Sequence, residues 1–182
     1  MKNEVNYWVK QLGLLPHPEG GFYKRTYCAD TLIPKTALPS HDGDRPYGTA
    51  IYFLITATNF SAFHRLKTDE VWHFYTGSPI CIHGINPQGK LKTWYLGNPL
   101  NTDALTGDIE GNNEAQCQFQ VVVPAGYWFA ATVVNEQPNA YALVGCTLAP
   151  GFDFADFELA NPRALSETFP QHKTLIEQFT RT

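Results

Sequence analysis

The chain has 182 residues, 43% of them hydrophobic and 14% aromatic, enough for one domain with a packed core that needs neither disulfides nor metals. A net charge of −4 with no basic run excludes the usual footprint of a nucleic-acid binder, and no apolar stretch is long enough to span a bilayer. Four cysteines without a CxxC pair argue against a zinc knuckle.

Taken in chain order, residues 3–13 place Val5, Trp8, Val9 and Leu12 at one-turn spacing, which predicts a short amphipathic helix rather than a signal peptide. A cytoplasmic protein is the expectation. PHPEGG (16–21) forbids a helix and predicts a turn. GFYKRTY (21–27) reads as a strand with Phe22, Lys24 and Thr26 on one face and Tyr23, Arg25 and Tyr27 on the other. Residues 28–47 are weakly periodic and read as a loop, a candidate lid. Strand signals then crowd together at 48–56, 61–66, 70–77, 79–85, 90–97, 117–124, 127–134 and 140–148, with a loop over 98–116. Short strands separated by turns, with no helix between them, predict an all-β sandwich or barrel rather than a parallel α/β sheet. Asn161-Pro162 is a helix start, and Leu165, Phe169, Leu175, Ile176 and Phe179 predict one or two short helices packed on the β-structure. No linker or repeat interrupts residues 1–182, which read as one domain.

The chemistry-bearing stretch is FHRLKTDEVWHFYTGSPI (63–80). Two strands joined by a tight turn bring His64 and Glu70 face to face. A buried, charged Glu70 needs a partner, either His64 or Arg25, or else a wet mouth. If Glu70 points inward, Trp72 and Phe74 follow it, while Val71, His73 and Tyr75 point outward. Tyr23 and Arg25 on one strand face suit an anionic or hydroxylated ligand, or equally a surface or dimer face. His17 and Glu19 sit in a turn, where they either contact a ligand at a rim or cap the turn. Tyr52, Phe74, Trp128 and Phe129 are core candidates, some of which should line a cavity beside Trp72. Cys81 and Cys146 read as small buried hydrophobes. Phe152 and Phe154 follow the last long strand and either lid the barrel or anchor the C-terminal helix.

These segments resemble the cupin superfamily. The first cupin motif places a glycine before a His-x-His pair, a glutamate and a closing glycine. His64, Glu70 and Gly77 stand at the first His, the Glu and the last Gly, while Thr58 and Leu66 replace the opening Gly and the second His. The second motif, Pro-x-Gly followed by His, is matched by Pro124 and Gly126, with Phe129 at the His. Together with PHPEGGFYKRTY, GTAIYFLI, VPAGYWFA and LVGCTLAPGFDFADFELA, they look like the functionally uncharacterised "fifth cupin" family, from about residue 10 to 180. The resemblance implies a double-stranded β-helix (a jelly-roll barrel) with short N- and C-terminal helices, usually a homodimer. His73 and Tyr75 are candidates for such an interface. The full cupin metal site uses three His and one Glu. Leu66 and Phe129 cannot ligate, so no metal and no other cofactor is expected.

Two functions remain open. One is binding of a polar, sugar-like or nucleotide-linked small molecule, with Glu19, Arg25, Tyr52, Trp72 and Trp128 as contacts. The other is a metal-independent epimerase or isomerase, by analogy with cupin deoxysugar epimerases. There His64 is the base, Glu70 its orienter and Tyr23 or Tyr52 the acid, with Arg25 or Arg65 stabilising an enolate-like intermediate. A metal-dependent cupin enzyme is a third and weaker alternative.

Overall fold

Alternating inward and outward side chains along antiparallel strands decide what this molecule buries. The computed structural model describes residues 4–100, 116–135 and 137–181. Helix α1 (Glu4–Leu12) precedes strands β1 (Leu15–Pro16), β2 (Phe22–Cys28), β3 (Leu32–Ile33), β4 (Arg45–Pro46) and β5 (Thr49–Thr56). There follow β6 (Ser61–Leu66), β7 (Glu70–Gly77), β8 (Ile80–Ile85), β9 (Leu91–Leu96), β10 (Gln120–Val123), β11 (Trp128–Val133), β12 (Tyr141–Leu148) and β13 (Phe157–Leu159). Helices α2 (Pro162–Thr168) and α3 (Lys173–Gln178) come last. The all-β expectation holds, each strand signal becomes a strand, and Asn161 caps α2 by accepting the Ala164 N–H at 3.0 Å.

The first sheet runs β1-β2-β5-β12-β7-β10 and the second β13-β6-β11-β8-β9. They face each other across an interior packed with Phe53, Ile55, Trp72, Ile82, Phe129 and Val144. The intervening residues point outward. On the first sheet Leu54, Tyr141 and Leu143 are covered by Trp8 and Val9 of α1. On the second, Phe63, Ile85 and Ala130 are covered by Leu165, Ile176 and Phe179. Three layers of burial thus follow from a two-residue period.

Residues 28–47 are more ordered than expected. β3 pairs with β4, and buried Arg45 forms a bidentate pair with buried Asp156 (Nε–Oδ2 2.6 Å, Nη2–Oδ1 2.8 Å). The sequence offers only weak periodicity here because its main tether is one long-range ion pair. The loop expected over 98–116 lies outside the described residues except for its ends. Among the described residues, no helix is long and apolar enough to cross a membrane.

Candidate functional site

β6 and β7 are consecutive but belong to different sheets, so the turn between them steps across the sandwich. His64 and Glu70 therefore approach from facing walls and line one cavity. Cross-strand register fixes the rest of the first wall. Leu148 pairs with Glu70, Cys146 with Trp72 and with Ile51, Tyr23 with Phe53, and Arg25 with Ile51. All of these line the same cavity. Phe152, Phe154 and Phe157 sit over it as mutually edge-on rings, with the His17 ring stacked against Phe154. Inside, water centres have about 40 Å3 to occupy, where one water needs roughly 10–15 Å3. The pocket thus has room for a few waters or a very small ligand.

The acid partner of His64 comes from the PHPEGG turn. Glu19 Oε2 lies 3.3 Å from His64 Nε2, and Glu19 Oε1 accepts the Ser61 hydroxyl at 2.7 Å. The turn is shaped by Gly20 and Gly21, both with positive φ (+110° and +71°). A side chain at Gly20 would collide with the Phe60 carbonyl and with Arg181. Arg181 holds the turn from behind, donating to the Glu19 carbonyl (3.0 Å), Asn59 Oδ1 (2.6 Å) and the Phe60 carbonyl (2.8 Å).

These contacts fix the protons. His64 Nδ1 lies 2.7 Å from the Ala62 carbonyl, which only accepts, so Nδ1 carries a hydrogen. His64 Nε2 and Glu19 Oε2 then need one proton between them, since otherwise two lone pairs would face each other. His17 Nδ1 accepts the Glu19 N–H at 3.3 Å, which puts the hydrogen of neutral His17 on Nε2. Glu70 Oε2 accepts the Trp72 indole N–H at 2.7 Å.

Glu19, His64 and Glu70 are only 6%, 2% and 7% exposed. Burial pushes the Glu70 carboxyl up to about 7, with the His64 charge pulling it back, Glu19 pushing it further, and the Trp72 and Cys146 hydrogen bonds pulling it back. Burial likewise raises Glu19, against the opposing pull of His17, Ser61 and Arg181. It lowers His64, against the pull of Glu70, and lowers His17, against the pull of Glu19. Burial thus brings the Glu70 proton into exchange near neutrality and favours the neutral form of both imidazoles there.

Of the residues singled out in the sequence, Glu19, Tyr23, Arg25, His64, Glu70 and Trp72 meet at this cavity. Tyr52 and Trp128 do not. Tyr52 shares its outward parity with Leu54 and packs on the α1 side. Trp128 shares the parity of Ala130 and lines a separate groove with Arg65, whose guanidinium lies 4.7 Å from its ring centre. His73 points outward as expected and bonds Thr147 Oγ1 at 2.8 Å. Glu70 lines the cavity, feels the opposing charge of His64 as expected, and has no hydrogen bond to Arg25; its Oε2 accepts from the Trp72 indole. Cys146, read as a buried hydrophobe, is buried and also hydrogen-bonds Glu70.

The donors do not fit the full cupin metal set. Leu66 and Phe129 carry no ligating atom, the Phe129 ring centre lies 4.0 Å from that of His64, and His64 Nε2 faces Glu19. Among the described residues, no three His, Cys, Asp or Glu side chains are grouped to hold a metal ion.

The chain is similar to a protein of known structure from Shewanella oneidensis (34% identity, 100% of this chain and 99% of that one, TM-score 0.79). It is also similar to a hypothetical protein from Leishmania major (30% identity, 97% and 98%, TM-score 0.80). A cupin-2 domain protein from Rhodospirillum rubrum shares the fold at 10% identity, with 91% and 87% coverage and a TM-score of 0.53. No curated protein matches. A family model described as Cupin superfamily (DUF985) matches residues 6–160. With the facing antiparallel sheets and the motif residues His64, Glu70 and Gly126 in place, the chain belongs to this family, and its barrel is the cupin double-stranded β-helix.

Proposed function

We propose that the protein binds a small polar molecule, sugar-like or nucleotide-linked, between its two sheets. The carrying observation is that Glu19, His64 and Glu70, from three separate elements, are buried around one cavity under an aromatic cover. Burying two carboxyls beside two imidazoles costs several kcal/mol that packing alone does not require. Ligands larger than the enclosed space enter by displacement of Phe152, Phe154 and Phe157. The test is a thermal-shift panel of sugars, sugar acids and nucleotide sugars. Binding that raises the melting temperature and is lost in His64→Gln supports the reading, whereas a flat response across the panel removes it.

A second reading, a metal-independent epimerase or isomerase, is favoured by the fixed His64 tautomer. With Nδ1 bonded to Ala62, His64 Nε2 is the atom that exchanges a proton with Glu19 or with a bound molecule. Glu70 is a second proton carrier, and Tyr23 lies within the same lining. Exchange of a ligand carbon-bound proton with deuterated solvent, abolished by His64→Gln, is the expected sign. Binding without exchange leaves only the first reading. We also propose that the chain forms a homodimer through the outer face of the first sheet beyond α1, where Tyr75 and Val122 are half exposed beside His73.

A further inference from the structure

We infer that the pocket's ligand carries a carboxylate, received by Arg25 and Tyr23, with its remaining polar groups directed at His64 and Glu70. This rests on the reading above that the cavity binds a small molecule, and it narrows the class of that molecule.

The inference comes from the hydrogen-bond account of the lining. The acceptors are engaged: Glu19 by Ser61, Glu70 by the Trp72 indole, and His17 Nδ1 by the Glu19 N–H. Two donors are not. Among the described residues, the Arg25 guanidinium has no hydrogen bond or ion pair and the Tyr23 hydroxyl has no hydrogen bond, although both side chains line the cavity. They stand on one face of β2, two positions apart, so they present donors side by side. Arg25 is an exposed residue at the mouth of the cavity and Tyr23 is half-buried, so both donors are open to an incoming molecule, and one that brings acceptors suits them. A planar fork beside a phenol matches a carboxylate in particular. The pocket as it stands accommodates a carboxylate of few atoms, such as an α-hydroxy acid, without displacement of its aromatic cover.

A negative ligand has a proton consequence. Glu70 on β7 is surrounded by His64 of β6, by His17 and Glu19 of the preceding turn, by Cys146 of β12 and by Tyr23 and Arg25 of β2, with Arg181 behind Glu19. A carboxylate arriving among these groups raises the proton affinity of both acids and both imidazoles. Binding near pH 7 therefore takes up protons. An amine ligand would release them, and a neutral polyol would do neither.

The experiment titrates glycolate, lactate and glycerate, with lactamide, glycerol and ethanolamine as neutral and cationic counterparts. It uses calorimetry in Hepes and in Tris, with the His17 and His64 ring resonances reporting occupancy. The expected result is carboxylate binding with net proton uptake, weakened at least tenfold in Arg25→Met and severalfold in Tyr23→Phe. Should lactamide, glycerol or ethanolamine move the ring resonances as well as the carboxylates do, or should Arg25→Met bind carboxylates undiminished, the inference falls while the binding pocket stands. If no compound in the set moves them, the inference falls, and the binding pocket is then decided by the sugar and nucleotide-sugar panel.

Discussion

Glu70 has its usual ionisation displaced upward by burial, and this sets a sign for stability. A carboxyl that holds its proton more tightly when folded than when unfolded stabilises the fold at low pH. That contribution fades as pH rises from the unfolded value of about 4.5 to the folded value of about 7. His17 and His64 act oppositely, since their lowered folded affinity costs stability as pH falls below about 6.5. Glu70→Gln removes the first effect and, by taking away the pull of Glu70, lowers His64 a little further. It should stabilise the protein at pH 8 by on the order of 3 kcal/mol relative to its effect at pH 4, measured as the difference in urea midpoints. An equal effect at both pH values would contradict the buried setting of Glu70. His64 and Glu70 were legible from motif spacing, and Tyr23 and Arg25 from strand alternation. The Glu19–His64 contact was not, because it joins a turn to a strand across more than forty positions with no shared periodicity. Tyr52 and Trp128 lie away from the cavity because strand parity, not aromatic character, decides which face a side chain takes.

At the scale of elements, two tethers hold the site and neither left a sequence pattern. Arg181 clamps the turn that carries Glu19 from 162 positions away. Arg181→Ala should cost about 2 kcal/mol and shift the proton shared by His64 and Glu19 toward Glu19, whose affinity Arg181 otherwise lowers. Histidine ring titrations by NMR would show this, and unchanged His17 and His64 titrations would reduce Arg181 to a purely structural contact. The second tether, Arg45–Asp156, joins residues 28–47 to the segment bearing Phe154 and Phe157. Breaking it with Asp156→Asn leaves a buried guanidinium poorly matched, at a cost of about 3 kcal/mol or more, read from chemical denaturation. The strands themselves were readable because alternation is local. The two-residue strands β1, β3 and β4 and the short β13 were not, because so few residues carry no period.

For the whole molecule, three buried zones divide the interior among the described residues. Helices shield the outer faces of both sheets, but only in part on the first. The uncovered remainder carries half-exposed Tyr75 and Val122. Light scattering should give twice the chain mass, falling to the chain mass in Tyr75→Glu with the fold retained. A monomeric parent would remove the dimer.

The turn that steps from β6 to β7 has a mechanical corollary. Because His64 rides on one wall and Glu70 on the other, their separation is a gauge of how far apart the walls stand. A methyl group lost or gained at Val144, a core residue outside the cavity lining, would be transcribed into altered acidity at the centre long before the sandwich itself gave way.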